Sequence, residues 1–60
     1  MDKADQYFVL EAASRILASE LNAYEAVHGT APPIELRQKM VMLANDTAMQ
    51  LWADLQGRVS

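Results

Sequence analysis

Gly29-Thr30-Ala31-Pro32-Pro33 decides the fold, because it is the one stretch of the 60 residues where a helix is difficult to continue. Glycine tolerates the left-handed conformation that commonly closes a helix, and a proline disfavours helical geometry in the residue before it. Pro33, in contrast, suits the first position of a new helix. The stretch therefore predicts that one helix ends, that the chain turns over residues 29–32, and that a second helix starts at Pro33.

The segment before the turn has the composition of one uninterrupted helix. No proline or glycine occurs between Lys3 and His28, alanine is frequent, and Asp2 is suited to cap the N-terminus. We expect a helix over residues 3–28, with Glu11 and Arg15 paired across one turn. One side of this helix should be buried, and its apolar stripe consists of Leu10, Ala13, Leu17 and Leu21.

The segment after the turn predicts a second helix over residues 33–56, with Gly57 as its C-terminal stop. Its most regular apolar stripe alternates steps of three and four residues, as the seam between two helices does. That stripe consists of Val41, Ala44, Ala48, Leu51 and Leu55. A second stripe beside it includes Leu36 and Met40, so the apolar side covers about half of the circumference and is too broad for one neighbouring helix.

These patterns predict an all-α protein, in which residues 1–60 form a single domain built as an antiparallel two-helix hairpin. A chain of this length buries a small share of its surface, and it has no cysteine for a disulfide or a thiolate metal site. Two hairpins paired about a two-fold axis would form a four-helix bundle and cover the broad apolar sides. We therefore predict a homodimer whose core and interface use the two stripes defined above.

The charges of the chain argue against several classes of partner. Eight acidic and five basic residues give a net charge of −3, and the basic residues are scattered, whereas surfaces that bind nucleic acid or anionic membranes cluster Lys and Arg. No apolar run approaches the roughly 18 residues of a membrane span, and the N-terminus lacks the features of a signal peptide. We expect a cytoplasmic protein that has no membrane partner.

The residues needed for catalysis are missing. The chain has no cysteine, a single histidine at a predicted helix end and no glycine-rich phosphate loop, so we expect neither an enzyme nor a cofactor. Glu25 and His28 have the i, i+3 spacing of metal ligands in helical bundles, and Glu35 after the turn is a candidate third ligand. The competing interpretation, which we favour, is that His28 interacts with the last carbonyls of its helix, and that no metal binds.

Three residues are candidates for binding a partner protein. Met42 and Met49 lie outside the main stripe of the second helix, and methionine is frequent on surfaces that bind partner helices; the same two residues could equally form a second contact within the bundle. Glu20 falls inside the apolar side of the first helix, where it contacts a partner or reaches a cation such as Arg37 or Lys39. The sequence thus predicts a small interaction protein: a regulator, inhibitor or adaptor.

Three alternatives remain for the function. The predicted architecture resembles that of the plasmid copy-number proteins, which dimerise as helical hairpins and bind paired RNA loops, and this resemblance implies an RNA-binding dimer. Such a dimer needs a basic stripe on one bundle face, but Arg37 and Lys39 are about 160° apart and Arg15 stands alone, so we do not expect a nucleic-acid partner. The others are a metal-binding bundle protein that uses Glu25 and His28, and a structural subunit of a larger assembly such as a phage particle.

Overall fold

The computed structural model describes residues 2–59, which form two α-helices joined by a short turn. Helix α1 spans Lys3–His28 and helix α2 spans Ile34–Val59. The helices pack against each other along their length, in a molecule that measures 44 × 17 × 14 Å. The prediction of an all-α protein built as a two-helix hairpin is confirmed.

Both ends of α1 are closed by the residues that the sequence indicates. Asp2 is the N-cap: its Oδ1 accepts a hydrogen bond from the backbone N–H of Asp5 at 3.0 Å, and its carbonyl accepts one from Gln6 at 3.0 Å. The bond from Asp5 holds the pKa of the Asp2 carboxyl below its ordinary value of 3.8, because it favours the charged form. At the other end Gly29 is left-handed, with φ 74° and ψ 5°, and its N–H donates to the carbonyl of Glu25 at 2.7 Å.

The turn runs directly into α2, which begins at Ile34, one residue after the predicted start at Pro33, and whose end also differs from the prediction. Pro32 is buried, and the carbonyl of Pro33 accepts the first helical hydrogen bond from Arg37 at 2.9 Å. At the far end α2 continues through Gly57 to Val59, so the predicted stop at Gly57 is not observed. Within residues 2–59 only Gly29 has a positive φ. With no proline after it, Gly57 stays helical at a cost of about 1 kcal/mol relative to alanine.

The seam between the helices is centred on small side chains of α2. Ala48 is fully buried and Ala44 is 1% exposed, and the half-buried residues beside them continue the same row at steps of four: Leu36, Met40 and Trp52. The larger members of the predicted stripe lie at the edge of the seam and are exposed: Val41, Leu51 and Leu55. The alanines let the two backbones approach closely, and the bulkier side chains are then placed on either side of the contact.

The contacting side of α1 keeps most of the predicted stripe, since Ala13, Leu17 and Leu21 are half-buried, but it leaves Leu10 out. Val9 is buried, and Ala12, Ala13 and Ile16 are half-buried, whereas Leu10 is 63% exposed. The apolar side of α1 is broad, and the part that faces α2 includes Val9 and Ile16 as well as the half-buried members of the stripe. Leu10 is therefore left at one side of the seam.

Candidate interaction surface

Large apolar side chains cover much of the outer surface of the hairpin. Within the part of the chain that the structure describes, the buried residues are only Val9, Pro32, Ala44 and Ala48. The exposed large apolar residues are Tyr7, Phe8, Leu10, Val27, Ile34, Val41, Met42, Leu43, Met49, Leu51 and Leu55. These residues come from both helices, so the apolar surface belongs to the folded hairpin and not to one frayed segment.

Part of this surface forms a groove along one side of the seam, which we name the Asn45 groove. It has two adjoining parts. The part nearer the chain ends is lined by Gln6, Val9, Leu10, Asn45 and Met49. The part nearer the turn is lined by Leu10, Ala13, Ser14, Leu17, Val41, Met42, Ala44 and Asn45. Leu10 and Asn45 line both parts and therefore lie at the middle of the groove.

No charged side chain lines the Asn45 groove. Its polar groups are a hydroxyl and two carboxamides. The Ser14 hydroxyl donates to the carbonyl of Leu10 at 2.8 Å, which satisfies it within its own helix. The Asn45 carboxamide has no hydrogen-bond partner within residues 2–59. Sequence reasoning missed Asn45, although it stands at step four between Val41 and Met49, where an apolar residue would continue the row.

The other side of the seam has a different character. A second groove, the Phe8 groove, is lined by Phe8, Glu11, Ala12, Arg15, Ile16 and Leu51. Its edge carries an ion pair in which Arg15 Nη2 lies 2.7 Å from Glu11 Oε1, as the i, i+4 spacing predicts. The Arg15 and Glu11 side chains are 79% and 66% exposed, so the pair contributes at most about 1 kcal/mol to stability. The two grooves thus differ in charge and not only in position.

The residues that the sequence proposes for the core and interface do not all lie on one side of the seam. Leu10, Leu17 and Val41 line the Asn45 groove, together with the two methionines proposed for partner binding, Met42 and Met49. Leu51 lines the Phe8 groove, so Leu10 and Leu51 lie on opposite sides of the seam. Leu21 is half-buried and Leu55 is exposed. Glu20 is exposed, and it forms no ion pair within residues 2–59.

The candidate metal ligands lie near the turn. Among residues 2–59 no three His, Asp or Glu side chains come close enough together to hold a metal ion, so Glu25, His28 and Glu35 do not assemble as a site. The His28 ring instead stacks on Tyr24 one turn earlier, with ring centroids 4.1 Å apart and planes inclined at 33°. His28 also stands in the last turn of α1, where a positive charge would be favoured.

Comparison with protein-family models, curated proteins and solved structures found no match to this chain. Neither helix of the described residues has an apolar stretch long enough to cross a lipid bilayer.

Proposed function

We propose that this chain is a non-enzymatic protein–protein interaction module, and that its working form is a homodimer in which two hairpins build a four-helix bundle. In this role it presents a helical face to another protein and serves as a small regulator, inhibitor or adaptor. Nothing in the proposal requires a cofactor or a reacting group.

The amount of exposed surface carries the proposal. One chain of 6.7 kDa exposes 4728 Å², whereas a compact monomer of that mass is expected to expose about 3,900 Å². The excess is about 800 Å², which is close to the area that each partner contributes to a protein interface of standard size. Because the excess coincides with exposed Leu, Val, Met and Phe side chains, the hydrophobic effect favours its burial against another protein surface.

The basic residues give the RNA-binding alternative little support. Arg15 is already paired with Glu11 at 2.7 Å, so part of its charge is neutralised within its own helix. Arg37 stands beside the Asn45 groove near the turn, in a patch that also contains Ile34, Gln38, Val41 and Met42. A single arginine in an apolar patch differs from the basic stripe that phosphate binding needs.

The solution mass tests the proposal. Sedimentation equilibrium over a wide range of chain concentrations, with circular dichroism on the same samples, should give a helical species of twice the 6.7 kDa chain mass that persists on dilution. A stably folded monomer would contradict the homodimer. Recovery of the chain only in fixed proportion with a larger assembly would indicate a structural subunit instead of a free regulator.

A further inference from the structure

We propose that a second copy of this chain seats in the Asn45 groove, and that the carboxamides of the two Asn45 residues pair with each other on the two-fold axis. This inference rests on the proposed homodimer and specifies which face forms it. It also assigns Met42 and Met49 to the dimer core instead of to a surface for a foreign target.

Charge distinguishes the two grooves as seats for a second copy. Each chain carries a net charge of −3, so two copies repel each other wherever acidic side chains meet. The Asn45 groove has no ionisable side chain in its lining, and Arg37 stands beside it near the turn, so two copies can close over the lining itself without burying a charge. The Phe8 groove carries Glu11 and Arg15, whose charges a second copy would have to desolvate. A self-complementary interface therefore fits the Asn45 groove better.

The position of Asn45 fixes where the axis passes. In a two-fold interface a residue on the axis meets its own copy, and the overlap of two identical grooves is greatest when the axis passes through their middle. Leu10 and Asn45 mark that middle, because both parts of the groove share them. The exposed apolar residues Val41, Met42 and Met49 then lie around the axis and are covered by the second copy.

The chemistry of the carboxamide suits a position on the axis. An asparagine offers both a carbonyl acceptor and N–H donors, so two copies of the same side chain can donate to and accept from each other. Asn45 is exposed in the single chain and has no hydrogen-bond partner within residues 2–59, so a second copy that covers it has to supply one, because an unpaired carboxamide enclosed by apolar side chains is costly. A single asparagine in an otherwise apolar helical interface is a known means of selecting register and oligomeric state. Asn45 would have that role here.

Single-cysteine variants test this arrangement without ambiguity, because the chain has no cysteine of its own. Asn45→Cys should place two thiols close to the axis, so that oxidised glutathione gives a covalent dimer on a non-reducing gel at low chain concentration. Thr47→Cys is the matched control, since Thr47 is exposed on the same helix and lines neither groove. It should remain mostly uncrosslinked under the same conditions.

A second variant gives an independent measurement. Asn45→Asp should raise the dimer dissociation constant at least about tenfold at neutral pH, because it opposes two carboxylates in a partly dehydrated interface. Thr47→Asp should leave that constant unchanged. If the parent is a dimer but Asn45→Cys crosslinks no better than Thr47→Cys, and Asn45→Asp dimerises normally, then this face is not the interface, although the proposed homodimer stands. A monomeric parent would overturn both.

Discussion

Ala48→Glu tests whether the two alanines of α2 form the closest contact between the helices. Ala48 is fully buried and Ala44, one turn away, is 1% exposed. A glutamate side chain at position 48 has either to remain in the seam as a charge or to push the helices apart. Both outcomes remove the packing around the most buried residues of the hairpin, so we expect this variant to be severely destabilised.

The magnitude follows from the size of the protein. A buried charge without a partner costs about 3–5 kcal/mol. At about 0.05–0.15 kcal/mol per residue, the whole folding free energy of a 60-residue chain is roughly 3–9 kcal/mol. The Ala48→Glu variant should therefore lose about a third or more of its stability. Ala48→Gln introduces a side chain of nearly the same size without the charge, so its stability should lie between those of Ala48→Glu and the parent.

Ala18→Glu is the matched control, because Ala18 is an exposed residue of α1 that lines neither groove. Ala18→Glu introduces the same side chain into a helix at no packing cost, and it should change the free energy of unfolding by no more than about 0.5 kcal/mol. The assay is thermal unfolding followed by helical circular dichroism, with all variants at one chain concentration. If Ala48→Glu melts within a few degrees of Ala18→Glu, Ala48 does not lie in a close-packed seam and the packing described above is wrong.

Three other perturbations probe the helix ends. Gly29→Ala should lower the free energy of unfolding by about 1–2 kcal/mol, because Gly29 has φ 74°, although a Cβ there would meet no atom within 4 Å. Gly57→Ala should raise the free energy of unfolding by up to about 1 kcal/mol, because that glycine is helical and in open space. Denaturant melts that shift in the same direction for both would contradict this. Because the pKa of Asp2 is lowered in the fold, its contribution to stability is present above pH 3.8 and is lost as the pH falls through the lowered value. Asp2→Asn should make the free energy of unfolding less dependent on pH in this range, as measured by melts at different pH. If the pH dependence is the same as in the parent, the Asp2 cap does not cause it.

The sequence predicts the two helices and both ends of α1 well, because these depend on local chemistry. Asp2 caps through a hydrogen bond to a residue three positions away, and Gly29 closes α1 through one to a residue four positions away. The Glu11–Arg15 pair likewise spans one turn. Gly57 fails as a stop because a glycine only permits a helix to end, and no proline follows it to prevent continuation.

The sequence predicts less well which side of each helix faces the other. Both apolar sides are broad, so several rotations bury a comparable amount of apolar surface, and periodicity alone does not rank them. The structure uses the rotation that places Ala44 and Ala48 at the centre, and Leu10 moves to the edge as a result. Asn45 escaped notice for the same reason, because a polar residue becomes informative only once its neighbours in space are known.

The packing of the hairpin and its proposed role have one cause. Burial of alanine removes little apolar area from water, so a seam centred on Ala44 and Ala48 brings the backbones together but supplies only part of the hydrophobic stabilisation that a chain of this size needs. Several larger apolar side chains that could supply more of it flank the seam and are exposed, among them Leu10, Val41 and Met42. A rotation that buried the leucines inside one chain would stabilise the monomer and leave less surface for association. In this hairpin, the alanine seam that lets the helices meet therefore also leaves large apolar side chains exposed, which is the surface that the proposed homodimer would bury.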